Sequence, residues 1–225
     1  MSIAKEPRFK MISFFGGSFD PIHYGHLKNA TQLKTELGLS KLFLMPCAKP
    51  VHKKQLNFNV NQRMDMLRLA VEEFNTLSID TREVNHNRDS YTIDSLKHIQ
   101  SDYQNDSICL IMGVDSFNTL SSWKAYQVFY QYCHLVVIAR ADTFTHQEKY
   151  GFKLTSTVGD LAKQKTGFVF FANNQILDIS SSAIHDILLN ILQRRINTTL
   201  SNKIRDQQNL SKLLPKSIID YIDTL

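Results

Sequence analysis

Cysteine is scarce in this 225-residue chain, which has it only at Cys47, Cys109 and Cys133. Three scattered thiols cannot build a disulfide framework, and none forms the CxxC pair that a structural zinc site would use. Cys109 and Cys133 sit in apolar runs and read as small buried hydrophobes. Long apolar runs are missing as well: the longest are near five residues, whereas a membrane helix needs ~20. The N-terminal MSIAKEPRFK lacks the apolar region of a secretory signal. Strong basic clusters are absent too. HKK at 52–54 and QRR at 193–195 are short, so the net charge of +5 does not make the stripe expected of a nucleic-acid binder. The expectation is a soluble, reduced, cytoplasmic protein with no nucleic-acid or membrane partner.

What the chain does have is alternation. Short apolar runs at Met11–Phe15, Lys41–Met45, Leu77–Asp80, Ser107–Met112, Leu135–Ala139 and Phe168–Phe171 read as strands, and their continuous apolar character suits strands covered on both faces. Helical spacing separates them. Leu27, Ala30, Leu33 and Leu37 share one face, with Gly38 as a C-terminal stop. Met64, Leu67, Val71 and Phe74 share another, with Asn61 as an N-cap, and Ile93, Leu96, Ile99 and Tyr103 a third. The polar segment 142–166 reads as a helix-and-loop insertion. Ala183–Ile196 and Pro215–Asp223 read as helices, the second started by its proline. This order predicts an α/β fold, a doubly wound, mostly parallel Rossmann-like sheet. Residues 1–179 form the α/β domain, and 180–225 form a small helical C-terminal subdomain of the same unit.

The first strand runs into FFGGSFDPIHYGH (14–26), which falls at a strand-to-helix turn, where open α/β sheets bind ligands. Gly16 and Gly17 allow a tight turn and close approach of the backbone to a ligand. His23 and His26 then lie near a helix N-terminus, whose free amides and dipole favour an anion. HxxH spacing also occurs in zinc sites, but such a site wants a further ligand, and Asp20 is the one near candidate. Imidazole N–H donors at a phosphate account better for a glycine-rich, partly polar segment. Gly113 and Asp115 end a second apolar strand at the same edge, so Asp115 either reaches a ribose hydroxyl or caps a helix. Thr92 has the same two readings, as a carboxylate donor or as a cap. Trp123, the single tryptophan, sits in a polar loop and either stacks on a flat ring or packs partly buried.

GGSFDPIHYGH resembles the HxGH signature of the nucleotidyltransferase superfamily and differs from the GxGxxG dinucleotide fingerprint. Within that superfamily it is similar to the bacterial nicotinate mononucleotide adenylyltransferase family. The likeness continues through MPCAKPVHK (45–53), RMDMLRLA (63–70), SYTIDSL (90–96), LIMGVDSFNTLSSWKAY (110–126), ISSSAIH (179–185) and LLPKSIIDYI (213–222). The resemblance implies an adenylyltransferase that joins ATP to nicotinate mononucleotide, giving deamido-NAD and pyrophosphate, with Mg2+ carried in on ATP and no resident metal.

The same resemblance implies that His23 and His26 are catalytic and bind ATP together with Gly16, Gly17, Ser18, Phe19, Gly113, Asp115, Ser180, Ser181, Ser182 and His185. It assigns the mononucleotide to Asp20, Lys53, Tyr91, Thr92, Trp123, Lys124 and Arg140. Two positions depart from the family pattern: Val51 replaces a proline, and His185 replaces the arginine of ISSTxIR. Arginine is always charged and forked, whereas histidine is mostly neutral at pH 7. Arg194 and Arg195 would lie ~14–15 Å further along an unbroken helix, too far to substitute directly. Three rival readings stay open: a sibling enzyme that prefers nicotinamide mononucleotide or a pantetheine phosphate, a nucleotide-binding regulator without turnover, and a zinc hydrolase.

Overall fold

The computed structural model describes residues 8–49, 56–85, 90–138, 150–172, 179, 184, 186–188 and 208–225. Among them a seven-stranded sheet runs in the order β3-β2-β1-β4-β5-β7-β6, every neighbouring pair being parallel. The strands are β1 Met11–Gly17, β2 Lys41–Pro46, β3 Ser78–Ile79, β4 Ser107–Gly113, β5 His134–Ile138, β6 Lys153–Thr155 and β7 Phe168–Ala172. The helices are α1 Tyr24–Glu36, α2 Val60–Glu73, α3 Thr92–Asp102, α4 Val114–Asn118, α5 Val158–Leu161 and α6 Lys216–Asp223. Short 3-10 turns at Leu120–Ser122 and Tyr126–Gln131 join α4 to β5.

Both faces of the sheet are buried, which is why its strands carry continuous apolar runs. Alternation along β1 splits its side chains between two cores. Phe15 joins Leu27, Leu33, Leu67, Leu214 and Ile218 on the face covered by α1, α2 and α6. Phe14 joins Ile93, Leu96, Ile99 and Leu135 on the face covered by α3. Phe14, Leu27, Leu33 and Leu96 are fully buried, each worth ~1.5–3 kcal/mol relative to exposure. Cys109 and Cys133 are buried as expected, and burial pushes the Cys109 thiol up to about 12. At the foot of β5, buried His134 accepts from the Phe168 N–H at Nδ1 (3.0 Å) and donates from Nε2 to the Gln164 carbonyl (3.0 Å). Burial pulls this imidazole down to about 4, so it is neutral at pH 7.

Several local expectations are corrected. The segment 142–166 was expected to hold only helix and loop, but Lys153–Thr155 forms an edge strand, β6, followed by α5. Three residues of mixed polarity, with Lys153 and Leu154 exposed, give no period-2 signal. α2 is capped by Asn59, not Asn61: the Asn59 side chain accepts from the Gln62 amide, while the Gln62 side chain returns to the Asn59 amide. Pro215 is the N-cap of α6 and lies outside its first turn. α1 ends as read, with Gly38 at φ +60 just beyond it.

The C-terminal helix is anchored to the main body. Leu210, Leu214, Ile218 and Ile219 belong to the α1–α2 core, and the Tyr221 hydroxyl donates to Asp65 on α2 at 3.1 Å. The domain boundary expected at 179/180 and most of the expected helix 183–196 fall outside the described residues. So do the loop 50–55 and Ala139.

Candidate active site

Strand order reverses at β1. The chain builds β2 and β3 on one side of it, then crosses to place β4 on the other. A crevice opens at such a switch point, beyond the carboxyl ends of the strands. Here it is a cavity of about 190 Å3, lined by Gly16–Ser18 at the end of β1, Met45 of β2 with Cys47 just beyond it, Leu110–Met112 of β4 and Ser116. Glu83, Ser90–Thr92, Trp123 and Lys124 complete its wall.

The loop after β1 is shaped by close packing. Phe19 takes φ +45, a conformation few non-glycine residues adopt. Its ring is buried, meeting His26 at 5.1 Å and Phe15 at 5.9 Å between centroids. A side chain at Gly17 would touch that ring at 3.1 Å. His23 and His26 pack ring against ring, with centroids 3.7 Å apart. Gly25 makes this possible, because a Cβ there would lie 2.9 Å from His23 Nδ1. His23 is 3% exposed, and burial pulls its imidazole down to about 4. Its Nδ1 is sealed in without a hydrogen-bond partner among the described residues. The N-terminus of α1 has no side-chain cap, but its early amides are partly engaged: that of Tyr24 donates to the Leu213 carbonyl (2.9 Å) and that of His26 to the His23 carbonyl (2.9 Å).

Asp20 does structural work. One of its oxygens accepts from the Phe58 amide (2.9 Å), the other from the Asn57 amide (3.0 Å) and side chain (3.3 Å). The carboxylate expected to meet the mononucleotide is thus engaged with the segment that leads into α2. Arg63 on α2 is 1% exposed. Its Nη1 donates to the carbonyls of Ser18 (2.7 Å) and Cys47 (2.9 Å), and its Nη2 to that of Ala48 (3.1 Å). A buried cation thereby holds the exit loops of β1 and β2 together.

The opposite wall is the start of α3. Tyr91 occupies the N-cap position without a side-chain cap, and Thr92 is the first helical residue. The start of this 11-residue helix, ~16 Å long, carries a dipole that favours an anion. Lys124 sets its ammonium 4.1 Å from the Tyr91 ring centroid and 4.0 Å from Asp94. Trp123 is half-buried and meets Phe129 edge to face at 6.4 Å. Glu83 accepts from the Ser95 hydroxyl at 2.6 Å; burial raises its pKa, and the neighbouring Ser95 and Ser90 hydroxyls oppose that rise.

The structure therefore gathers Gly16, Gly17, Ser18, Tyr91, Thr92, Trp123 and Lys124 around one cavity. Phe19, His23 and His26 are not among its lining residues; they pack against one another where the loop after β1 enters α1. Gly113 ends β4 and is the N-cap of α4, so Asp115 is not the cap; it is an exposed first-turn residue. Lys53, Arg140, Ser180, Ser181, Ser182 and His185 lie outside the described residues. Sequence reasoning missed Arg63, Glu83 and Ser90. The one signal available for Arg63 was a charged residue directly beside the apolar face of a helix.

The sequence pattern of the cytidylyltransferase-like family matches residues 14–187. A relative from Vesicomyosocius okutanii subsp. Calyptogena okutanii (strain HA) is 67% identical over 217 residues, 96% of each chain, and carries the name "Probable nicotinate-nucleotide adenylyltransferase". The chain belongs to the nicotinate-nucleotide adenylyltransferase family. A second family member, from Pseudoalteromonas atlantica, is 34% identical over 92% of this chain and 95% of its own. The fold is shared with Plasmodium falciparum nicotinic acid mononucleotide adenylyltransferase complexed with NaAD, at TM-score 0.67 and 21% identity, covering 96% of this chain and 95% of that one. Among the described residues no helix is long and apolar enough to cross a membrane.

Proposed function

We propose that this chain transfers the adenylyl group of ATP to nicotinate mononucleotide, releasing pyrophosphate and forming deamido-NAD for NAD biosynthesis in the cytoplasm. The observation that carries the reading is 67% identity, end to end, to a relative of that name. The cavity at the β1–β4 switch point is its physical counterpart.

In the proposed reaction the 5′-phosphate of the mononucleotide attacks the α-phosphorus of ATP in line. A phosphate oxygen is already anionic at pH 7, so no general base and no covalent nucleophile are required. The protein's share is positioning and charge stabilisation. His23 is neutral at pH 7, and it acts as an N–H donor to the α-phosphate and the departing pyrophosphate, with His26 beside it. Glycines 16 and 17 bring the backbone to ATP, and Asp115 serves the ribose. Ser180, Ser181, Ser182 and His185 supply phosphate donors from the ISSSAIH segment, with Lys53 and Arg140 as further cations. Mg2+ enters as part of the substrate MgATP, with few protein ligands because it sheds water reluctantly. Asp20 acts through the 57–58 segment it holds.

The pyridine ring is placed against Trp123, with its carboxylate at the Tyr91–Thr92 end of α3. An uncapped helix start next to Lys124 favours a carboxylate over a neutral amide, because the dipole and the cation both act on charge. MgATP mixed with either mononucleotide at equal concentration tests the reading by pyrophosphate release. Release with nicotinate mononucleotide at the higher kcat/KM is expected. Preference for nicotinamide mononucleotide would reassign the acceptor, and binding without turnover would favour the regulator.

A further inference from the structure

The peptide unit between His23 and Tyr24 is held at both ends. Its carbonyl, on His23, accepts from the amides of His26 (2.9 Å) and Leu27 (3.1 Å), and its amide, on Tyr24, donates to the Leu213 carbonyl at 2.9 Å. An N-cap side chain ordinarily accepts from an early amide of its helix. His23 is the N-cap of α1 and makes no such bond. Its ring lies instead against that of His26, 3.7 Å between centroids. A carbonyl from the far end of the chain takes up a donor of the helix start in its place.

That carbonyl is made available by the local sequence LLPK (213–216). The amides of Leu213 and Leu214 both return to the Leu210 carbonyl, at 2.9 and 2.8 Å. Pro215 has no N–H and disfavours helix at the residue before it, so the winding stops and the Leu213 carbonyl needs a partner outside the turn. Leu210 and Leu214 are buried in the core that also holds Leu27 and Leu33 of α1, which sets the turn against that helix. Beyond the turn, Tyr221 ties α6 to Asp65 of α2, and Arg63 of the same helix holds the Ser18 carbonyl. The loop that carries the histidines is thus gripped from outside near its start and at its end.

We infer that the Leu213 carbonyl is a positioning group for His23 and His26, which makes the turn at 210–215 part of the active site. The inference rests on the reading above that the two imidazoles serve the phosphates. Neither Leu213 nor Tyr24 lines the cavity, so the turn acts through the histidines alone. It should govern kcat and leave substrate affinity nearly unchanged.

The test replaces Tyr24 in the full chain by its α-hydroxy acid, introduced by nonsense suppression. The side chain is kept, the N–H is lost, and the resulting ester weakens the His23 carbonyl as an acceptor. The same replacement at Tyr103, whose amide donates to the Ile99 carbonyl at 2.9 Å beyond the end of α3, controls for lost stability. The Tyr24 ester should lower kcat about tenfold, as a shift of about half an ångström at a reacting centre would, with both KM values within about twofold of wild type. The Tyr103 ester should lower Tm comparably, since each variant loses one hydrogen bond, yet keep kcat within about twofold. A Tyr24 ester with kcat within twofold of wild type, a loss confined to KM, or equal kcat losses in the two variants would overturn the inference.

Histidine ring NMR gives a readout without substrate. The His23 ring signals should move in the Tyr24 ester and stay in place in the Tyr103 ester; an unmoved His23 would overturn the inference whatever the activity. One further measurement needs no variant. In the wild type the Tyr24 amide should exchange with solvent at least about tenfold more slowly than an open peptide amide, and exchange at the open rate would remove the bond on which the inference stands. Failure of the wild type to release pyrophosphate with either mononucleotide would count against the function alone, and the His23 signals would then decide the positioning role.

Discussion

Replacing Gly25 with alanine probes the geometry of the histidine pair with one methyl group. The added Cβ would fall 2.9 Å from His23 Nδ1, 3.0 Å from its Cε1 and 3.3 Å from Ile179 Cβ. Ordinary carbon contacts settle near ~3.5 Å, so the imidazole must retreat by about 0.5 Å, and Ile179 limits escape the other way. A misplacement of ~1 Å at a reacting centre costs ~100-fold, so half of that should cost kcat about tenfold. Stability should change far less, because ~1–3 kcal/mol of overpacking is opposed by up to ~1 kcal/mol from replacing glycine in a helix. Pyrophosphate release at saturating substrate gives kcat, and a thermal melt gives the stability. A variant with kcat within twofold of wild type would refute the claim that His23 must hold its present place.

Acid should weaken the fold in a defined window. His23 and His134 are both held near about 4 in the folded state, against ~6.5 when unfolded. The unfolded chain therefore binds more protons as pH falls from ~6.5 towards ~4, and each histidine should remove about 2 kcal/mol between pH 7 and pH 5. Glu83, with its pKa raised, offsets part of this. Urea unfolding at the two pH values measures the loss, and His134→Gln should lower stability at pH 7 yet show about half the pH-dependence. Trp123→Ala should raise the mononucleotide KM about tenfold or more and spare the ATP KM, since ring stacking is worth ~1–3 kcal/mol. Equal loss for both substrates would assign Trp123 to packing. If His185 meets ATP phosphates as a cation, a nonhydrolysable ATP analogue should bind more tightly at pH 6 than at pH 8, and His185→Ala should flatten that slope. An unaltered slope in the variant would dismiss the role of His185.

The sheet was legible because burial on both faces writes itself as apolar runs, and the loop after β1 because its glycines and histidines lie within thirteen residues, 14–26. β6 was not: Lys153, Leu154 and Thr155 owe their strand to β7 beside them. The cap of α2 was misplaced by two residues, although Asn59 and Gln62 carry the capping-box spacing. Arg63 and Glu83 were invisible for a different reason. Arg63 reaches Ser18 across 45 positions and Glu83 meets Ser95 across twelve, and neither separation is a periodicity that a single sequence displays. The bonds of Asp20 to residues 57 and 58 were not legible either, because they depend on where a distant segment returns.

The two margins of the sheet are β3, with two residues, and β6, with three. Ribbons so brief present few open amides and carbonyls, and Lys153 adds a charge to one of them. A stray strand from another molecule would find little to zip onto at either margin, so the protein should tolerate crowding at high concentration without joining edge to edge.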